Sequence, residues 1–219
     1  MRNHLRRLLY LIAVLGGCVA HAGSYEDFFT AIKRDDARTV ANLLSRGFDA
    51  NTLDPKGLHG LFMAVQEPSP KVADVMIRWP KTNVEFRTAK DESALMLAAL
   101  KGHIDLVKKL IERGADVNKP GWTPLHYAAT NAHLEIMDLL LENHAYIDAE
   151  SPNKTTPLMM AAQYGNADAV KLLLEAGADA TLRNQLGLTA IDFANKANRS
   201  DSAELIAAAR RSQQPRGKW

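Results

Sequence analysis

Four of the seven histidines, His103, His126, His133 and His144, are the first candidates for holding a metal ion. Zinc sites built on a helix use a His-x-x-x-His pair or a His-Glu constellation, because such spacings turn the ligands toward one point. No such pair occurs here. Thr123 and His126 stand three residues apart and could be read as nucleophile and base. A hydroxyl engaged in capping a helix is not activated, however, and no third group is indicated to orient the histidine. Cys18 is the only cysteine and lies among the first 22 residues, so the rest of the chain has no thiolate nucleophile, disulfide or cysteine metal site. A glycine-rich phosphate loop is absent as well. No catalytic residue, metal ligand or cofactor is expected.

The elements that carry these residues recur. The phrase Ser93-Ala94-Leu95-Met96 returns as Thr123-Pro124-Leu125-His126, Thr156-Pro157-Leu158-Met159 and Thr189-Ala190-Ile191-Asp192, at steps of 30, 33 and 33 residues. A period near 33 predicts a solenoid of stacked supersecondary units. Ser or Thr offers a side-chain oxygen to the free N–H groups that start a helix, and Pro fits the next position, where its missing N–H costs nothing. Ala98-Ala99, Ala128-Ala129 and Ala161-Ala162 let neighbouring helices approach closely. The turn residues are Gly102, Ala132, Gly165 and Asn198, at positions suited to the left-handed conformation that ends a helix. A second helix then carries Val107, Leu110 and Ile111; Met137, Leu140 and Leu141; and Val170, Leu173 and Leu174 on one face. These runs stop at Gly114-Ala115-Asp116, His144-Ala145-Tyr146 and Gly177-Ala178-Asp179.

The pattern Thr-Pro-Leu-His-x-Ala-Ala, Gly-His, Leu-Leu, Gly-Ala-Asp resembles the ankyrin repeat over about residues 24 to 211. The resemblance implies an all-α repeat solenoid, an array of about six helix-turn-helix units with β-hairpin fingers, near 24–52, 53–86, 87–118, 119–149, 150–182 and 183–211. The family's histidines after the turn bond locally, which is the role expected of His103 and His133, and His126 is expected to bond close to Thr123. The resemblance further implies that a protein partner docks on a concave face of fingers and first helices. Carried over position by position, the partner-binding residues are Lys56, Leu58, Lys90, Glu92, Trp122, Asn131, Asn153, Thr155, Gln163, Tyr164 and Gln185. Trp122 and Tyr164 are the hot-spot types among them. Trp122 follows a finger, Lys119-Pro120-Gly121, that is three residues short, which predicts a notch in the row of fingertips. The other reading is that Trp122 packs over its own shortened finger.

The end units depart from the pattern. Residues 25–51 fit a first unit, with Phe28, Phe29, Ala31 and Ile32 on one helix and Val40, Leu43 and Leu44 on the next. The second unit has His59-Gly60-Leu61-Phe62 where the capping phrase belongs, and Pro68-Ser69-Pro70 at its inter-helix turn, with Ser69 as the expected cap. Terminal units of a solenoid present a polar outer face, which accounts for Glu204, Arg210 and Arg211 on the last helix.

Residues 1–22 are of another kind. Arg2, Arg6 and Arg7 precede the apolar run from Leu8 to Leu15, and Ala20-His21-Ala22 follows. A basic head, a short apolar run and an Ala-x-Ala end predict a secretory signal peptide cleaved after Ala22, with Ala20 and Ala22 as the cleavage determinants. The run falls short of the ~20 residues a membrane span takes. Leu15-Gly16-Gly17-Cys18 resembles a lipobox, so a lipid anchor at Cys18 and a tethered lipoprotein form the alternative. The leader holds three of the 27 basic residues and none of the 25 acidic ones, so the remainder carries 24 against 25, a net charge of −1. That balance leaves no basic face for nucleic acid. The tail, residues 212–219, collects Arg216 and Lys218 around Pro215 and Gly217, reads as disordered, and ends in Trp219. The chain is expected to be a monomeric, periplasmic, non-catalytic protein-binding module. An inhibitor or immunity protein against a toxin or secreted enzyme is the alternative, and an exported hydrolase a remote one.

Overall fold

The computed structural model describes residues 23–213. The expected leader, with Ala20, Ala22 and the Cys18 lipobox, lies outside the described residues, as does the chain after Gln213. The described part is an all-α repeat solenoid of helix pairs. In chain order the helices are α1 (23–33), α2 (Ala37–Ser45), α3 (Gly60–Gln66), α4 (Pro70–Arg78), α5 (Ala94–Lys101) and α6 (Ile104–Glu112). They continue as α7 (Pro124–Thr130), α8 (Leu134–Glu142), α9 (Pro157–Gln163), α10 (Ala167–Glu175), α11 (Ala190–Lys196) and α12 (Ser200–Gln213). Two compact units divide them between Thr88 and Ala89. The first holds α1 to α4 and the second holds α5 to α12.

In the second unit α5, α7, α9 and α11 pack side by side in one row, and α6, α8, α10 and α12 in another. The rows are joined by helix pairing within each repeat. The alanine pairs do what their size allows: Ala98, Ala99, Ala128, Ala129, Ala161 and Ala162 are wholly buried. Each second helix contributes its apolar face, with Val107, Leu110, Met137, Leu140, Val170 and Leu173 fully inaccessible. The last helix closes the array through Ile206 and Ser202, which are buried, while Asp201, Glu204 and Arg211 stay exposed.

The helix starts carry several kinds of cap. Ser93 and Thr156 accept from the backbone N–H of Met96 and Met159 at 3.2 and 3.4 Å. Thr189 instead donates its N–H and its hydroxyl to Asp192 Oδ2, each at 2.7 Å. His59 is a true cap: its Nδ1 accepts from Leu61 N–H at 3.1 Å and its Nε2 donates to Asn51 Oδ1 at 3.1 Å. Ser69 corrects the sequence expectation. Its hydroxyl donates to Ile32 O at 2.6 Å in the preceding repeat, and the start of α4 is capped from there as well, by Asp35 Oδ1 accepting from Val72 N–H at 2.9 Å. A buried hydroxyl serves whichever acceptor the fold presents, and here that acceptor is 37 residues away.

The fingers also differ from the expected β-hairpins: among the described residues there is no strand, only isolated bridge residues, Leu53 paired antiparallel with His59 and further ones at Arg87 and Ser93. Two of the fingers are tight turns, each fixed by its own side chain. Asp54 Oδ1 accepts from Lys56 and Leu58 N–H at 2.8 and 2.7 Å, and Asn184 Oδ1 accepts from Leu186 and Leu188 N–H, both at 3.0 Å. Such Asx turns satisfy the loop backbone without a ladder.

Three of the four predicted left-handed turn residues are so, with φ of +76° at Gly102, +54° at Ala132 and +56° at Asn198. Gly165 is not among the positive-φ residues. Its glycine is required by space: a Cβ there would stand 2.6 Å from Ala129 O and 2.8 Å from Ala161 O. Both obstacles are backbone and cannot rotate away. Gly165→Ala is therefore expected to cost about 1–3 kcal/mol, the usual penalty of overpacking, read as a lowered urea midpoint. An unchanged midpoint would show that the repeats slide apart at no cost.

Candidate protein-binding site

The short finger before α7 is held by a lysine. Lys119 is buried, at 2% exposed, and its ammonium donates to Pro120 O and Trp122 O, both at 3.0 Å. It also pairs with Asp91 of the preceding finger. A buried cation must be paired and hydrogen-bonded, and here it meets carbonyls and a carboxylate within a turn that lacks three residues. Sequence reasoning missed this strut. The missing residues were a visible signal that something else fills the finger.

Lys119 thereby holds the Trp122 carbonyl. The Trp122 indole is half-buried and packs edge-on against the His126 ring, with centroids 5.2 Å apart and planes at 74°. His126 is fully buried. Thr123 N–H donates to its Nδ1 at 3.1 Å, so Nδ1 is an acceptor and also takes the Thr123 hydroxyl proton at 2.9 Å. Nε2 must then carry the hydrogen, which it donates to Thr155 O of the next repeat at 2.8 Å. Burial lowers the imidazole pKa to about 4, so it stays neutral. This arrangement caps a helix and ties two repeats; a hydroxyl that donates to a histidine without a third, orienting acid is no nucleophile at work.

Beside these rings lies a groove of about 250 Å³ lined by Leu100, Trp122, His126, Tyr127, Thr130 and Met160. The lining comes from α5, α7, α9 and the short finger, so three consecutive repeats meet there. Trp122 forms a wall of this groove and packs on the His126 ring of its own repeat.

The remaining candidates separate. Lys56, Lys90, Asn131, Asn153, Tyr164 and Gln185 are exposed, and Leu58, Glu92 and Gln163 are partly so. Thr155 is buried, its N–H bonded to Ser151 Oγ at 2.9 Å, and it is scaffold. Several exposed residues are structurally engaged. Asn131 Nδ2 donates to Leu100 O at 2.7 Å, joined there by His133 Nε2 at 3.0 Å, so both groups stitch α7 and its turn to the repeat before. Gln185 binds the neighbouring fingertip, its Nε2 donating to Pro152 O at 2.8 Å and its N–H to Asn153 O at 3.0 Å. Tyr164, 57% exposed, does not line the groove; its carbonyl and that of Gln163 accept from Arg199 at 3.1 and 3.2 Å. Lys56 and Leu58 belong to the first compact unit and the others to the second. Among the described residues no group of three or more His, Cys, Asp or Glu could hold a metal ion, and no helix is long and apolar enough to cross a membrane.

Comparison with known proteins adds three findings. Models of ankyrin repeats match residues 28–120, 61–151 and 140–194. The mouse ankyrin repeat and SAM domain-containing protein 6 is 39% identical over 132 residues, 58% of this chain and 14% of that protein. The chicken nuclear factor NF-kappa-B p105 subunit is 30% identical over 161 residues, 70% of this chain and 16% of that protein. This chain thus spans less than a fifth of the curated relatives it matches. Among solved structures it is similar, with a TM-score of 0.72 and 27% identity, to a chain in the complex of a predatory endopeptidase from Bdellovibrio bacteriovorus with an immunity protein. That match covers 83% of this chain and 97% of the other.

Proposed function

The chain belongs to the ankyrin-repeat family, and on that premise we propose that it is a non-catalytic protein-binding module, exported to the periplasm, that docks a partner protein at the Trp122 groove. The observation that carries this is the groove itself. It is an apolar concavity at the meeting of three repeats, walled by an aromatic whose backbone carbonyl a buried ammonium holds and whose ring packs on His126. A wall already fixed loses little freedom on binding, which is where preorganised sites gain affinity. Export is supported by the basic head, the apolar run and Ala20-His21-Ala22.

Two measurements test the proposal. Intact mass of the protein recovered from the cell envelope is expected to match a chain beginning at Gly23; a diacylated species beginning at Cys18 would replace the soluble form with a tethered one. A partner captured from envelope extract is then titrated calorimetrically against the folded protein and its Trp122→Ala variant. The substitution is expected to weaken binding by at least ~2 kcal/mol, about 30-fold. Full affinity in that variant, with Lys56 or Gln185 substitutions costly instead, would move the site.

A second reading, an immunity protein that silences a secreted peptidase, is favoured by one observation: the similarity over nearly the whole length of a chain from an endopeptidase–immunity complex. Assaying the captured partner with and without this chain separates the two. Lost enzymatic activity identifies an inhibitor, and retained or prolonged activity a helper.

A further inference from the structure

The last helix has a face that no repeat covers. α12 rests on α10 and α11, and no repeat follows it among the described residues. It runs for 14 residues, against nine for α6, α8 and α10. Its outer side holds a groove of about 680 Å³ lined by Asp201, Glu204, Leu205, Ala207, Ala208 and Arg211. Spacings of three and four put these residues on one helical face. Leu205 is half-buried and Ala208 is exposed, so apolar surface meets water where the closing unit of a solenoid needs a polar one. Glu204 is exposed, and among the described residues it has no hydrogen bond or ion pair.

The segment that leaves this helix carries the complementary chemistry. Residues 214–219 read Gln-Pro-Arg-Gly-Lys-Trp. Pro215 cannot continue a helix, and Gly217 accepts the backbone of a reversal. We propose that this segment folds back over α12 and fills its outer groove, with the Trp219 ring on Leu205 and Ala208 and the Lys218 ammonium paired with Glu204. The reach is sufficient. Leu205 lies eight residues before Gln213, about 12 Å along a helix, and the six residues 214–219 extend to about 20 Å. An indole supplies a large apolar area at little cost in side-chain freedom, which suits the covering of one exposed strip. Arg211 borders the groove, and its guanidinium can lie on the indole face. The exposed pair of Lys218 and Glu204 contributes little energy and sets the register. The tether favours the chain's own tail over that of a second copy, because a short flexible link holds it at an effective concentration of about millimolar.

The test follows the tryptophan indole signals of the ¹⁵N-labelled protein, with Trp219 assigned from its loss in Trp219→Phe. Trp219 is expected to show nuclear Overhauser contacts to the Leu205 and Ala208 methyls, unchanged on dilution. In Glu204→Lys its exposure to a soluble paramagnetic quencher should rise roughly 2- to 5-fold, the factor that an exposed ion pair of up to ~1 kcal/mol supports. Adding Lys218→Glu to that variant should restore the protection. Trp219→Ala should speed amide exchange in α12 and leave α9 unchanged. A Trp219 signal fully open to the quencher, with no contact to Leu205 or Ala208, overturns the inference. Contacts that fade on dilution give the groove to the tail of a second copy, and contacts to Leu205 from another segment give it to that segment; either result overturns the fold-back.

Discussion

Leu140→Ala is expected to destabilise the second compact unit by about 2–5 kcal/mol, the usual range for truncating a buried leucine. Leu140 is fully inaccessible on α8, and α8 packs against α7 of its own repeat and against α6 and α10 of the two flanking repeats. In a solenoid, stability is a sum of repeat and nearest-neighbour terms, so a cavity in a central helix weakens two interfaces at once. The informative comparison is Ile206→Ala on α12. Its repeat is terminal, but Ile206 is equally inaccessible, and α12 rests on both α10 and α11. The local cost is therefore also that of a buried truncation, while only the end of the array should fray. Urea melts followed by far-UV circular dichroism and by hydrogen exchange are the measurement. Leu140→Ala should lower protection across the second unit, and Ile206→Ala only in α11 and α12. Loss confined to α8 in the first variant would mean that the repeats unfold independently.

The contrast between those two leucine-sized sites shows what sequence could and could not give. Periodicity at three and four residues located α2, α6, α8 and α10, because one buried face leaves a period in the sequence. The capping phrases located the first helices for a similar reason: a cap is a local device with a local residue code. What failed was the assignment of polar groups whose partners lie in another repeat. Ser69 looked like a cap and instead bonds Ile32 O, and the cap of α4 arrives from Asp35. His126 was expected to bond near Thr123 and does, yet its other nitrogen reaches Thr155 across 29 residues. His133 was expected to bond locally and holds Leu100 O of the repeat before. Asn118 was not singled out at all, though it bonds both His144 O and Tyr146 N–H at 2.7 Å. Inter-repeat stitching leaves no spacing of its own, since the repeat period already fixes which residues face each other.

The site was legible to the same degree. Trp122 stood out by residue type and by the shortened finger beside it, both local facts. Lys119 did not, because a lysine in a loop is ordinarily solvated and only the fold shows that this one is buried with its ammonium among carbonyls. Thr155 aligned with exposed positions of other fingers, but its carbonyl is occupied by His126 and its N–H by Ser151, which draws it inside. Position within a repeat thus predicts facing well and engagement poorly.

Acid should unfold this protein through its histidines before its carboxylates. His126 is neutral when folded, with its pKa lowered by burial from 6.5 to about 4, and His59 in the first compact unit is lowered likewise to about 4. In each case the unfolded chain binds the proton first. Stability is complete above about 6.5, falls as the pH drops from there, and levels off below the folded value near 4. At 1.36 kcal/mol per pKa unit, each histidine accounts for about 3 kcal/mol over that window. Carboxylates act lower. Asp36 and Asp192 are hydrogen-bonded to Thr39 and Thr189, which lowers their pKa, so their contribution is present above 3.8 and disappears only beneath it. Asp148 opposes them weakly, because burial raises its pKa and protonation relieves it. The geometry supplies an independent reason for the histidine effect. Protonated Nδ1 could no longer accept from Thr123 N–H, so the start of α7 would lose its cap, and the Trp122 ring rests on that same imidazole. Urea midpoints measured from pH 7.5 to 4.5 should therefore decline, with Trp122 becoming more accessible to a quencher in a variant whose other tryptophans, Trp79 and Trp219, are replaced by phenylalanine. His126→Gln should be less stable at pH 7.5 and show a shallower decline, because the buried titrating group is gone while an amide oxygen can still accept near Thr123. A midpoint that stays flat down to pH 4.5 in the native sequence would mean that His126 accepts its proton without leaving the folded state, and the neutral, two-repeat bridge assigned to it would be wrong.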